Sequence, residues 1–144
     1  MLRADGGGAA HRDVIRRAGI PSLLRHCGDQ LGVASRRSLT VRLTDDAELS
    51  GLNARFLGIE APTHVLAFPA DERDRVGDIA ISVERAVAQG GDDPVGELRL
   101  LAVHGLLHCL GHDHAAPADA AAMTSWTRRL LPAQAVPDLV AGTG

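Results

Sequence analysis

The sequence has 144 residues, enough for one compact domain and too few for two of ordinary size. Hydrophobic residues make up 45% and charged residues 23%, a balance that excludes a disordered or fibrous chain. All 15 basic residues are arginine, and 18 acidic residues bring the formal net charge to −3, so the composition shows no overall basic footprint for nucleic acid.

The cysteine count and the hydropathy pattern indicate the compartment. Cys27 and Cys109 are too few for a secreted disulfide scaffold and favour a reducing environment. No apolar run approaches the length of a membrane span, and the opening MLRADGGGAAHRD lacks the apolar stretch of a signal peptide. We therefore expect a cytoplasmic protein without a membrane segment.

The first predicted elements are a helix, a strand and a second helix. Residues 20–32 carry apolar side chains every four positions and end on a glycine, which predicts a capped helix. Apolar and polar residues then alternate over 39–44, as in a half-buried strand. Asp45, followed by Glu48 three positions later, resembles a capping box that begins the next helix.

The second half of the chain predicts two strands and two further helices. Strands are expected over 64–68 and 78–83, and a short helix should run from there to Gly90. Asp93 and the proline after it supply an N-cap and a first-turn residue for a helix that reaches Gly111. This last helix is apolar nearly all round, so we expect it to be buried at the centre of the fold.

A final helix is predicted over 119–131, and both ends of the chain indicate loosely held tails. Residues 1–10 are rich in glycine and alanine without periodicity, and 132–144 are punctuated by proline and glycine. Strands separated by helices indicate an α/β or α+β sandwich, with a small sheet against helices. Residues 1–144 are thus expected to form a single domain.

Four of the seven histidines fall within the segment HGLLHCLGHDH, which begins at His104. His104 and His108 are one helical turn apart, so their imidazoles lie within about 40° of each other and about 6 Å apart at Cβ. Gly111 can end the helix in a left-handed conformation and turn the chain so that His114 faces the same point. Three imidazoles suit one zinc ion and leave its fourth position open, as catalytic zinc sites require.

A metallopeptidase is an alternative reading of the same spacing. Metzincin peptidases share H-x-x-x-H-x-x-G-x-x-H but carry a glutamate general base directly after the first histidine. Gly105 occupies that position here, and Asp113 or Glu60 would have to substitute for the base.

The neighbours of the three histidines have several interpretations. Asp113 either accepts a ring N–H from a ligating histidine or simply forms the turn after the helix. His112 is interpreted as a surface histidine. Cys109 lies about 140° around the helix from His104, so it points away from the metal and is predicted to be a core thiol, as is Cys27.

Three segments together resemble the YbeY family of bacterial endoribonucleases, which act in ribosomal RNA maturation. The histidine segment resembles the family's H-G-x-L-H-L-x-G-Y-D-H. Residues 52–69, LNARFLGIEAPTHVLAFP, resemble L-N-x-x-[FY]-R-x-x-[DE]-x-P-T-[DN]-V-L-S-F-P, and residues 77–82, GDIAIS, match G-D-I-x-I-S. The resemblance covers about 39–123.

The resemblance implies an α+β fold with a small mixed sheet flanked by helices, and one zinc ion held by His104, His108 and His114. It also implies that the protein is an endoribonuclease for single-stranded ribosomal RNA, active in ribosome quality control, with the small ribosomal subunit as a further partner.

Two departures from the family pattern bear on activity. Leu57 stands where the family has an arginine thought to contact phosphate or RNA, which favours a third alternative, a metal-containing ribosome-biogenesis factor without catalysis. His64 replaces a polar family residue; it either donates to a phosphate, approaches the metal, or begins a strand. With Asp113 it completes the set of candidate catalytic residues.

Overall fold

The computed structural model describes residues 2–4, 9–34, 36–57, 65–112, 116–134 and 136. Four strands and six helices lie within these ranges: β1 Leu2–Ala4, α1 Ala9–Ala18, α2 Ile20–Gln30, β2 Ser38–Thr44, α3 Asp46–Leu57, β3 Val65–Glu72, β4 Arg75–Ser82, α4 Val83–Gln89, α5 Pro94–Cys109 and α6 Pro117–Leu130. None of these helices is both long and apolar enough to cross a bilayer.

The strands form one mixed sheet in the order β1-β2-β4-β3. β2 is parallel to both β1 and β4, with Thr44 opposite Ser82, whereas β3 and β4 form an antiparallel hairpin. This architecture confirms the predicted α+β class and the small mixed sheet flanked by helices.

The main core lies between one face of the sheet and the helices α1, α2, α4, α5 and α6. Val41, Leu43, Ile79 and Ile81 point from alternate positions of β2 and β4 into this core, as the period of two requires. Helix α5 is buried along most of its length, which confirms its predicted central position.

Helix α3 covers the opposite face of the sheet. Its Leu49 is fully buried against Leu66 of β3 and Ala80 of β4. The cap at its start is half of the predicted capping box: the Glu48 amide donates to Asp45 Oδ1 at 2.8 Å. The Glu48 carboxylate instead accepts from Arg42 Nη2 at 2.9 Å, and hydrogen bonding from Arg42 lowers its pKa below the ordinary value.

The N-terminal segment differs from the predicted tail. Residues 2–4 form β1, which pairs with β2 through Leu2 and Val41, and α1 begins at Ala9. Three residues are too few to display an alternating pattern, and a pairing across almost forty residues of chain leaves no local signal. At the other end, the structure describes 132–134 and 136 of the predicted C-terminal tail.

Helix boundaries shift by one or two residues from the predictions for local reasons. Pro117 takes an early position in α6, which therefore begins before residue 119. Val83 begins α4 instead of ending β4, because Ser82 Oγ accepts a hydrogen bond from the Arg85 amide at 3.0 Å and caps the helix. Asp93 caps α5 as predicted, through the Gly96 amide at 2.9 Å.

Candidate metal centre

Two of the three predicted zinc ligands lie on one flank of α5. His104 and His108 are each half-buried, and Nε2 of His104 is enclosed by surrounding atoms. Because they are four positions apart in a continuous helix, their side chains leave the same side of α5 one turn apart. The donor set therefore fits a metal that accepts imidazole nitrogen.

Gly105 fixes how closely α5 approaches the sheet. A Cβ atom at this position would lie 2.6 Å from Ile79 Cγ2, well inside van der Waals contact. The helix packs on β4 through the bare backbone of Gly105. At about 100° per residue, His104 and His108 lie about 100° and 60° around the helix from Gly105, on the flank beside the sheet contact.

The C-terminus of α5 ends in a Schellman motif centred on Gly111. Gly111 has φ +97°, and its amide donates to the His108 carbonyl at 3.0 Å. The His112 amide donates to the Leu107 carbonyl at 2.9 Å, which completes the reversal of the chain. The predicted role of Gly111 as the left-handed residue at the helix end is confirmed.

The other predicted site residues lie at the end of a described range or outside the described ranges. His64, Asp113 and His114 lie outside the described residues. Leu57 is the last residue of α3, and its backbone alone is described. Within the described ranges no group of three or more His, Cys, Asp or Glu residues is arranged to hold a metal, so the zinc site stays a prediction.

His112 has a defined environment that the sequence did not indicate. It is half-buried, and its ring meets Trp126 of α6 edge to face, with centroids 6.5 Å apart and planes at 64°. Arg129 places its guanidinium over the same indole ring, 4.4 Å from the centroid. Because Trp126 is 14 positions away from His112 on another helix, no periodic pattern could have revealed this cluster.

A polar network at the ends of β2 and β4 was also missed. Ser82 is fully buried and donates to Asp46 Oδ1 at 2.6 Å, while Arg85 Nη2 lies 3.0 Å from Asp46 Oδ2. The network ties the start of α3 to the start of α4. Its one sequence signal was Ser82, a serine directly before a helix, which is a common N-cap.

Both cysteines are buried free thiols, which confirms their interpretation as core residues. Burial raises the pKa of each thiol to about 11, with Asp78 adding to the effect at Cys109. Both thiols are therefore protonated at neutral pH, as expected of core cysteines.

A cavity of about 680 Å³ lies on another flank of α5, under α2. Leu106, which lines it, is about 160° around the helix from both His104 and His108. Its floor is apolar and includes Leu24 and Val41. The body of α5 therefore separates this cavity from the two histidines.

Comparison with known proteins identifies relatives over most of the chain. A protein from Gloeobacter violaceus named Endoribonuclease YbeY is 45% identical over 115 residues, which cover 71% of this chain and 59% of that longer relative, less than two thirds of its length. A protein of the same name from Nitrobacter winogradskyi is 36% identical to this chain. The aligned region covers 94% of this chain and 75% of the length of that protein.

A solved structure shares the fold. The solution structure of TM1509 from Thermotoga maritima superposes with a TM-score of 0.51 and covers 92% of this chain and 89% of its own, at 22% sequence identity. In addition, residues 13–134 match the family described as Endoribonuclease YbeY. The match spans strands β2, β3 and β4, the central helix and its histidine pair, so this chain belongs to the endoribonuclease YbeY family.

Proposed function

We propose that the protein is a zinc-dependent endoribonuclease that cuts single-stranded RNA in ribosomal RNA maturation and ribosome quality control. The observation that carries the proposal is the pair His104 and His108 on one flank of a buried helix that ends in a chain reversal at Gly111. Membership of the endoribonuclease YbeY family supports the RNA-cleaving role. We also propose that the protein acts in the cytoplasm and that the small ribosomal subunit is its partner.

His104, His108 and His114 would hold the metal. Zinc bound by three histidines supplies Lewis acidity toward a phosphoryl oxygen and an activated water at neutral pH. Helix α5 contributes rigidity, because its packing on the sheet holds the first two imidazoles in a fixed relation before any ligand arrives. Asp113 and His64 remain the candidates for moving protons near the scissile phosphate.

Gly105 favours the nuclease over the peptidase alternative. The metzincin spacing requires a glutamate at this position, and the structure shows why none is accommodated: the first side-chain carbon would already overlap Ile79. A carboxylate there would also be buried against the apolar face of β4 without a partner, at a cost of several kcal/mol. The approach of α5 to β4 is thus incompatible with the zincin base.

Elemental analysis and RNA cleavage on one preparation test the proposal. We expect one zinc per chain, cleavage of a single-stranded RNA, loss of cleavage on treatment with a chelator, and recovery when zinc is returned. Stoichiometric zinc with RNA left intact under every metal and salt condition would refute the nuclease activity. Degradation of an unfolded protein substrate by the same sample would favour the peptidase instead.

Leu57→Arg separates a weakened enzyme from the non-catalytic alternative. The substitution restores the cation that the family resemblance places at the end of α3, and a charge-assisted contact to phosphate is worth about tenfold in cleavage rate. We therefore expect RNA cleavage to rise about tenfold. The measurement is the initial rate on a labelled single-stranded RNA.

Ala47→Arg is the matched control for that experiment. Ala47 is exposed on the same helix, so it receives the same charge at a position that the resemblance does not assign to RNA. We expect no gain from it. Unchanged cleavage in Leu57→Arg, with binding to the small ribosomal subunit intact, would support the biogenesis factor without catalysis.

A further inference from the structure

We propose that Arg129, placed over the ring of Trp126, is a stacking platform for an unpaired RNA base beside the histidine end of α5. The proposal rests on the proposed function, because it assigns to that RNA a contact which the three histidines do not supply. It concerns binding of the strand and leaves the chemical step to the metal centre.

Trp126 provides a rigid base for the platform. Its indole is half-buried and packs against the main core, while neighbouring residues of α6 such as Met123 and Thr127 are buried completely. The ring of His112 meets the indole edge to face at 6.5 Å. The indole is therefore held by the core that α6 packs against and by the turn that follows α5.

Arg129 forms the outer layer of the platform. Its guanidinium lies over the Trp126 ring, 4.4 Å from the centroid, and the residue is exposed. A guanidinium in this position is attracted to the face of the ring and loses rotational freedom before any ligand binds. The guanidinium is itself planar and cationic, and the residue is accessible from solvent.

Such a surface fits an unpaired nucleobase. Bases in single-stranded RNA stack on aromatic rings and on arginine guanidinium planes, and their phosphates favour nearby positive charge. Arg128 and Arg129 both lie in the last turn of α6. With a net charge of −3, the whole molecule attracts RNA weakly, so local contacts of this kind must supply affinity.

The platform lies at the C-terminal end of α5, the end that carries the histidine pair. The His112 amide is bonded to the Leu107 carbonyl, so the residue that touches Trp126 belongs to the same reversing turn that follows His108. A base stacked on Arg129 would hold its strand next to this end of α5. We infer that the contact raises RNA affinity with little effect on the rate of the bound complex.

Binding measured with a non-cleavable probe tests the platform. In excess chelator, where the proposed nuclease is inactive, a short 2′-O-methyl oligoribonucleotide keeps the bases and stays intact, and an abasic strand of equal length keeps the charge and lacks the bases. Trp126 is the one tryptophan in a chain without tyrosine, so intrinsic fluorescence reports directly on this site. We expect the base-bearing strand to quench Trp126 fluorescence and to bind more tightly than the abasic strand.

Variants assign the effect to Arg129. Arg129→Ala should weaken binding of the base-bearing strand about tenfold and leave binding of the abasic strand within about twofold. Arg128→Ala removes the same charge from the next residue, whose guanidinium instead donates to the Val136 carbonyl, and it should change either affinity by no more than about twofold. Trp126→Leu should weaken binding like Arg129→Ala, since the guanidinium loses its support.

The outcomes separate this inference from the proposed function. If wild-type protein cleaves RNA and Arg129→Ala raises KM about tenfold at unchanged kcat and zinc content, the platform is supported. If wild type cleaves RNA while Arg129→Ala behaves like Arg128→Ala, the platform is refuted and the nuclease stands. Base-dependent binding without any cleavage would refute the nuclease and support the platform.

Discussion

Replacing His108 with alanine is expected to remove zinc from the purified protein and to lower RNA cleavage by at least about 100-fold. His108 is one of two imidazoles that α5 holds one turn apart, and a single remaining helical ligand cannot retain the ion at physiological concentrations. The measurements are zinc per chain by elemental analysis and initial cleavage rate.

The same substitution should lower thermal stability in a zinc-dependent way. A ligand that binds the folded state alone stabilises it, so wild-type protein loaded with zinc should unfold at a higher temperature than His108→Ala. In excess chelator the difference should shrink, because neither protein then has the ion.

His26→Ala is the matched control. His26 is exposed on α2, away from the flank of α5 that carries the histidine pair, so we expect unchanged zinc content and activity. Full zinc occupancy in His108→Ala would contradict the proposed ligand set.

Gly105→Ala is expected to destabilise the protein by about 2 kcal/mol, even though alanine is the better helix former. The added Cβ would lie 2.6 Å from Ile79 Cγ2, and isoleucine is stiff at χ1 and buried within the sheet. Relief of the overlap requires α5 to move away from β4, which costs more than the gain in helix propensity. Chemical denaturation of both proteins gives the difference in the free energy of unfolding.

Gly51→Ala provides a matched control for the same exchange. Gly51 is exposed in α3, and a Cβ there meets nothing within 4 Å. This variant should be stabilised by about 0.5–1 kcal/mol, through helix propensity alone. Equal stabilisation by Gly105→Ala would show that α5 does not pack on β4 as described.

A double-mutant cycle with Ile79→Ala assigns the cost to one contact. Removing the isoleucine side chain should open the space that the new methyl group needs, so the double variant should be less destabilised than the sum of its parts. Additive effects would mean that the cost of Gly105→Ala arises elsewhere.

Most helices and strands could be predicted from the sequence because their signals are local. The caps at Asp45 and Asp93 and the left-handed glycine at 111 act within five residues, and apolar residues on every side of α5 indicated its burial. The N-terminal strand β1 was not predicted, because a three-residue segment becomes a strand only through its pairing with β2.

Part of the candidate site could also be predicted from local signals in the sequence. The spacing of His104 and His108 required a single helix, which the sequence indicated and the structure contains. His64, Asp113 and His114 lie outside the described residues, so their predicted positions stay predictions. The Trp126 cluster and the Asp46–Ser82 pair could not be predicted, because each joins separate elements.

By itself, the sequence determined most of the helical segments, the caps at Asp45 and Asp93, and that two imidazoles share one flank of the central helix. Hydrogen bonds within a turn and the period of 3.6 residues decide such features without distant partners. Tertiary structure alone decided the strand order, the placement of α3 on the other face, and the contact of Gly105 with Ile79. Those depend on side-chain volumes meeting across the core, where segments distant in the chain must fit together.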